Sequence, residues 1–187
     1  MTSQHYTQAV STASRPAREN PMPIRGLHHN AYRCRDSEEN RKFYEDFLGL
    51  PLEHAFVIDV TKTGRATHVL HSFYRMGDGS YLAFFEVPGE EGRDFVFKDQ
   101  HDFDLHIALE IPHADLAQWL EKAKATSISS RGPADHDMIQ SIYFRDPNGY
   151  VIELTAKRPN HNAVMNPSEN GARGILDKWQ VEKRAWH

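Results

Sequence analysis

The sequence predicts an α+β fold made of two βαβββ modules. Three observations carry that reading. The stretch Ser141–Leu154 reads as strand, turn, strand, with Asp146-Pro147-Asn148-Gly149 as the turn. The order strand, helix, three strands occurs twice along the chain. At the start of each module the same residues return, His29-Asn30-Ala31 answering His106-Ile107-Ala108.

Residues 1–23 are rich in Ser, Thr, Gln, Ala and Pro and lack hydrophobic periodicity, which predicts a mobile arm. Module one spans 24–88. Its first strand, Ile24–Arg35, places His29, Ala31 and Arg33 on one face. Asp36 is expected to cap a helix with Glu39 in the capping-box position; Phe43, Tyr44, Phe47 and Leu48 follow at helical spacing, and Gly49 ends it. Strands are expected over Leu52–Thr61, Thr67–Met76 and Ser80–Val87. If Asp78-Gly79 forms a two-residue turn, Gly77 pairs with Ser80, Phe73 with Phe84 and His71 with Glu86.

A polar connector leads to module two, 103–157. Its strand Asp104–Ile111 turns Leu105, Ile107, Leu109 and Ile111 toward a packed layer and His106 the other way. The helix His113–Ala125 carries Leu116, Trp119 and Leu120, a short strand lies near Ser127–Ser130, and the last hairpin follows. In the final strand Ile152 and Leu154 need a packed layer, so Glu153 faces away from it. A carboxylate held inside a protein needs a cation or strong donors. The tail, 158–187, is broken by Pro159, Pro167, Gly171 and Gly174 before Ile175, Leu176 and Trp179 mark a short amphipathic helix.

Composition excludes several classes. The formal charge of −4 gives no reason to expect nucleic acid or a membrane surface as partner. No apolar run approaches a spanning helix, and the single Cys34 allows no intrachain disulfide, which suits a reducing, cytoplasmic setting. Twelve histidines stand out. Of these, His54, His68, His101, His113 and His161 are assigned surface or structural roles.

Each module thus offers a histidine on its first strand and a glutamate on its last: His29 with Glu86, His106 with Glu153. Two imidazoles and one carboxylate suit Fe(II); two imidazoles and two carboxylates suit Zn, Ni or Mn.

The stretches LHHNAYRCRDSEENRKFYEDFLGLPL, LHIALEI and YFRDPNGYVIEL resemble the vicinal-oxygen-chelate superfamily of glyoxalases, bleomycin resistance proteins and extradiol dioxygenases. The resemblance implies paired modules forming a cupped mixed sheet around one metal, a small-molecule substrate and a homodimer. It implies His29, His106 and Glu153 as metal ligands and Glu86 as the fourth ligand of glyoxalase-type members. His136, Ile142-Tyr143 and the turn before Glu153 resemble the extradiol pattern, which implies Tyr143 and His136 hydrogen-bonding a bound catecholate or dioxygen. Ser80 stands where those enzymes carry an acid–base histidine, leaving His71 to substitute. The glutathione clamp of glyoxalase I is absent, with Glu90 and Asp102 at its positions. The reading that follows is an Fe(II) extradiol-type dioxygenase acting on a small aromatic substrate with vicinal oxygens. The alternatives are a glyoxalase I-like isomerase using Zn, Ni or Mn, and a metal-free resistance-type binding protein.

Overall fold

The computed structural model describes residues 22–186. The expected N-terminal arm lies, up to residue 21, outside the described residues. The chain divides into two compact units, one of which is Gly26–His161.

That unit contains both modules, each with its own four-stranded mixed sheet. In the first, β1 (His29–Cys34) lies beside β4 (Tyr81–Glu86), then β3 (Ala66–Arg75) and β2 (Leu52–Val60). In the second, β5 (His106–Glu110) lies beside β8 (Val151–Lys157), then β7 (Ile139–Arg145) and β6 (Ser130–Asp135). The strand expected near Ser127–Ser130 therefore starts where that expectation ended.

The helix of module one begins as anticipated. Asp36 Oδ1 accepts from the backbone N–H groups of Glu38 and Glu39, and α1 (Ser37–Arg41) runs on into a π-helical stretch, Lys42–Phe47. Gly49 ends it at φ +77°, a value that favours glycine. Phe43, Tyr44 and Phe47 are buried. In module two a 3₁₀ turn at His113–Asp115 leads into α2 (Leu116–Ala125).

The modules are joined through a buried polar latch. Tyr44 Oη donates to Asp146 Oδ2 at 2.8 Å, Asn148 Nδ2 donates to Asn40 Oδ1 at 2.8 Å, and the Arg35 N–H donates to Asn148 Oδ1 at 2.8 Å. Tyr150 Oη donates to the Arg33 carbonyl at 3.0 Å. Around these bonds Phe47 packs against Phe144 and Trp119, and Tyr32 against Tyr150. The Asp146-Pro147-Asn148-Gly149 turn is thus a locking piece as well as a hairpin. Asp146 is buried, and burial raises its pKa against the lowering effect of its hydrogen bonds from Asn148, Tyr44 and Tyr150.

One expectation fails at the other hairpin. Phe73 pairs with Ala83 and His71 with Phe85, not with Phe84 and Glu86. The turn is wider than two residues. Asp78 Oδ1 accepts from the Ser80 N–H at 2.9 Å and from Ser80 Oγ at 2.6 Å, and the Met76 N–H donates to the Ser80 carbonyl. Pairing therefore starts at Arg75 and Tyr81, and a slip of one residue sends every following side chain to the opposite face.

In the other unit, α3 (Ala172–Glu182) is amphipathic, with Ile175, Leu176 and Trp179 exposed and Trp179 in ring contact with Trp186. Among the described residues no helix is long and apolar enough to cross a membrane.

Candidate functional site

Each sheet has one face covered by helix and core, and one open face. In module two Ile107, Leu109, Ile152, Leu154, Ile142 and Phe144 fill the covered side. The register pairs Ala108 with Glu153 and Glu153 with Tyr143, so alternation puts His106, Glu153 and Tyr143 together on the open side.

Glu153 is only 4% exposed, yet no cationic Lys or Arg forms an ion pair with it among the described residues. Its Oε1 accepts from Tyr143 Oη at 3.2 Å, and its Oε2 faces His106 Nε2 at 3.3 Å. The other ring nitrogen of His106, Nδ1, lies 2.7 Å from the Asp102 carbonyl. A carbonyl only accepts, so Nδ1 carries a proton, and in the neutral ring Nε2 presents a lone pair. A lone pair then meets a carboxylate lone pair, and a proton or a cation must lie between them. This donor set, with the histidine oriented from behind by a backbone carbonyl, fits a divalent metal. His136 Nε2 is 2.8 Å from Tyr143 Oη, extending the chain of polar atoms to an exposed imidazole. Tyr143 Oη has one proton and gives it to Glu153, so in this arrangement His136 donates to Tyr143. Burial, then the charge of Glu153, hold the Tyr143 pKa above its ordinary value, which keeps the phenol a donor. Arg131 lies over the Tyr143 ring at 4.5 Å and is ion-paired with Asp102.

Module one supplies less. His29 is on the open face of β1, its Nδ1 2.8 Å from that of His28 and its ring 5.5 Å from Phe73. Glu86 is not beside it. The register puts Glu86 opposite Leu70 and Cys34, on the covered face, where its Oε2 accepts from the Ser37 N–H at 2.8 Å. It caps α1, and the fourth-ligand expectation fails with the register that produced it. Since His29 pairs with Tyr81 and His106 with Val151, the true counterpart of Glu153 is Ala83. Comparing the two hairpins by their loops, MGDGS and DPNGY, would have found this; matching glutamate to glutamate did not.

His71 does reach the open face, 6.3 Å from His29 between ring centroids. It is buried, stacked on Phe85 at 3.8 Å, with Nδ1 3.0 Å from the Phe84 carbonyl. Burial holds its pKa below the ordinary imidazole value. Packed in this way it is part of an aromatic surface, and the acid–base role expected of it loses its geometric basis.

The structure brings together His106, Glu153, Tyr143 and His136. It does not bring His29 to them: among the described residues no three His, Cys, Asp or Glu side chains converge within reach of one ion. The paired mixed sheets expected from the sequence are present; what the described residues of one chain do not assemble is the full His29, His106 and Glu153 ligand set around one position.

Residues 26–154 match the family model of the Glyoxalase/Bleomycin resistance protein/Dioxygenase superfamily. The chain is 28% identical over 138 residues to a metallothiol transferase FosB of Staphylococcus epidermidis, covering 71% of this chain and 82% of the relative. It is 28% identical over 136 residues to a Bacillus licheniformis protein of the same name, covering 70% and 75%. The fold resembles that of the fosfomycin resistance protein FosX of Listeria monocytogenes, solved with Mn(II) and sulfate (TM-score 0.54, 18% identity, 75% of this chain and 99% of that one). It also resembles a glyoxylase/bleomycin resistance protein/dioxygenase domain from Frankia sp. (TM-score 0.57, 16% identity, 73% and 100%).

These relatives overturn the oxygenase reading. These curated relatives are named metallothiol transferases, a different chemistry from oxygen-dependent ring cleavage. The Fe(II) extradiol assignment is corrected accordingly, and neither it nor the glyoxalase-type isomerase is retained.

Proposed function

The chain belongs to the glyoxalase/bleomycin resistance protein/dioxygenase superfamily, and from that premise we propose that it is a divalent-metal-dependent transferase of the resistance type. It joins a low-molecular-weight thiol to a small electrophilic molecule, at a site shared between two copies of the chain. The observation that carries this reading is the buried, cation-free Glu153 facing the Nε2 lone pair of His106.

Two ligands make an incomplete cage, and His29 is the natural third. Within one chain the Tyr44–Asp146 and Asn40–Asn148 latch fixes the modules with His29 elsewhere. A two-fold dimer removes the difficulty. Module one of each copy lays its open face over module two of the other, and symmetry yields two identical sites. Each holds His29 from one copy with His106 and Glu153 from the other. The relatives' names supply the chemistry, metallothiol transfer in the curated proteins and Mn(II) in the solved FosX.

When bound, the ion supplies Lewis-acid polarisation of a substrate oxygen. The chain's own residues do the rest. Glu153 and His106 orient and balance charge, and Tyr143 holds the Glu153 carboxylate through Oε1. His136, at the exposed end, passes a proton between solvent and the Tyr143 hydroxyl. A thiol-dependent reaction and a single, buried Cys34 suit a reducing, cytoplasmic setting.

Mixing variants tests the shared site. His29→Ala and His106→Ala should each lose stoichiometric Mn(II). Unfolded and refolded together, they should recover about a quarter of the wild-type Mn(II) capacity, because half the dimers are mixed and one of their two sites is intact. No recovery, with mixed dimers present, removes the shared site. Thiol consumption in the presence of a small epoxide panel by the Mn(II)-loaded protein then tests the reaction.

A further inference from the structure

The open face of module one is largely aromatic around His29. Next to His29 stands a continuous aromatic surface. Phe73 lies 5.5 Å from the His29 ring and 4.2 Å from His71, and His71 is stacked on Phe85. Phe56 is stacked near-parallel to Phe73, 6.1 Å between centroids at 18°, and is 40% exposed. Tyr81 meets the Phe73 ring edge-on at 6.0 Å, and His54 lies 5.2 Å from Phe56. The register explains this: Phe73, His71, Tyr81 and Phe85 all fall on the His29 side of the sheet.

The cations on the two open faces are already engaged. Arg75 is ion-paired with Glu53 at 2.6 Å, Arg131 with Asp102, and Lys157 with Glu110 at 2.7 Å. Arg145 donates to the carbonyls of Gly149 and Gln100. Arg33 is held by the Gly92 carbonyl and the Phe95 ring, two strand positions beyond Ala31 and away from His29. A compact dianion would have to displace one of these ion-pair, carbonyl or ring contacts to find a counter-charge. A flat apolar ring finds a surface already built.

We infer that the substrate carries an aromatic ring, which stacks on the Phe56–Phe73–His71 surface while its oxygen reaches the metal position beside His29. This rests on the shared-site reading, which places that surface over the His106–Glu153 pair. It makes Phe73 and Phe56 specificity-determining residues. Edge-to-face and offset contacts with a ring are favourable beyond their buried area, and an exposed Phe at the rim completes the slot.

The test uses two chelators with the same two-oxygen head, benzohydroxamate and acetohydroxamate, titrated calorimetrically into the full-length Mn(II)-loaded protein. Benzohydroxamate should bind about tenfold more tightly. Phe73→Ala, and separately Phe56→Ala on the edge strand, should bring the two within about threefold of each other while leaving acetohydroxamate and Mn(II) binding as in the wild type. Equal affinities in the wild type, or a preference that survives both substitutions, overturns the inference. If the wild type takes up no Mn(II), the shared metal site has failed on its own account. The aromatic surface is then judged without metal, by ring-current shifts of phenylalanine-labelled protein on adding benzohydroxamate: shifts at Phe56 and Phe73 sustain it, and their absence overturns it.

Discussion

The two modules share a backbone plan and differ in the chemistry of their open faces. Both sheets have the same strand order, and both hairpins leave equal loops, 76–80 and 146–150, between their last paired residues. His29 and His106 occupy the same place in that plan. Beside His106 stand Glu153, Tyr143 and His136; beside His29 stand Ala83, Phe73 and His71. A common backbone therefore supports a polar face, proposed to hold the metal, and an aromatic face, proposed to hold the substrate ring.

The largest expected effect sharpens this asymmetry. Glu153→Gln should lower Mn(II) affinity by about a hundredfold or more, since the carboxylate is the one anionic ligand proposed. Glu86→Gln should leave Mn(II) affinity as it is and cost about 1 kcal/mol in stability, because it weakens only the bond to the Ser37 N–H at the start of α1. Equilibrium dialysis and urea melts on the pair decide it. Metal loss in the Glu86 variant would break the asymmetry.

The hairpin turns offer the next contrast. Asn148→Ala deletes bonds to Asn40, Asp146 and the Arg35 N–H inside the latch, and should cost about 2–3 kcal/mol by urea melts. Asp78→Ala removes only local bonds to Ser80 at the equivalent loop, and should cost about 0.5–1 kcal/mol. Comparable losses would mean the latch adds nothing beyond turn formation. Tyr143→Phe comes after these, with an expected drop of about tenfold in Mn(II) affinity as the donor to Glu153 is lost.

The smallest effect is a pH dependence in the same latch. Burial raises the Asp146 pKa above its unfolded value. The group's contribution is therefore fully present below the unfolded carboxylate pKa and is lost as pH rises through the folded value. Asp146→Asn should be destabilised relative to the wild type most at low pH, with the gap in Tm closing as pH rises above the ordinary carboxylate range. A gap that widens with pH would reverse the sign assigned to Asp146.

Much of this was legible in the chain. The period-two alternation around Ile152–Leu154 and Ile107–Leu109 fixed which way Glu153 and His106 point, because a one-sided core leaves no other choice. Asp36 and Gly49 announced the helix ends by chemistry local to those residues. The other hairpin could not be read so directly. Asp78-Gly79 suits several turn geometries, and the side-chain bond from Ser80 selected the wider one, moving Glu86 to the covered face and His71 beside Phe85. Nor did any spacing disclose that Tyr44, Asn40 and Arg35 would clasp the Asp146–Tyr150 turn. Alternation and capping are short-range and are written in neighbouring residues. Which faces finally meet depends on bonds between residues more than a hundred positions apart, and only the folded chain sets those.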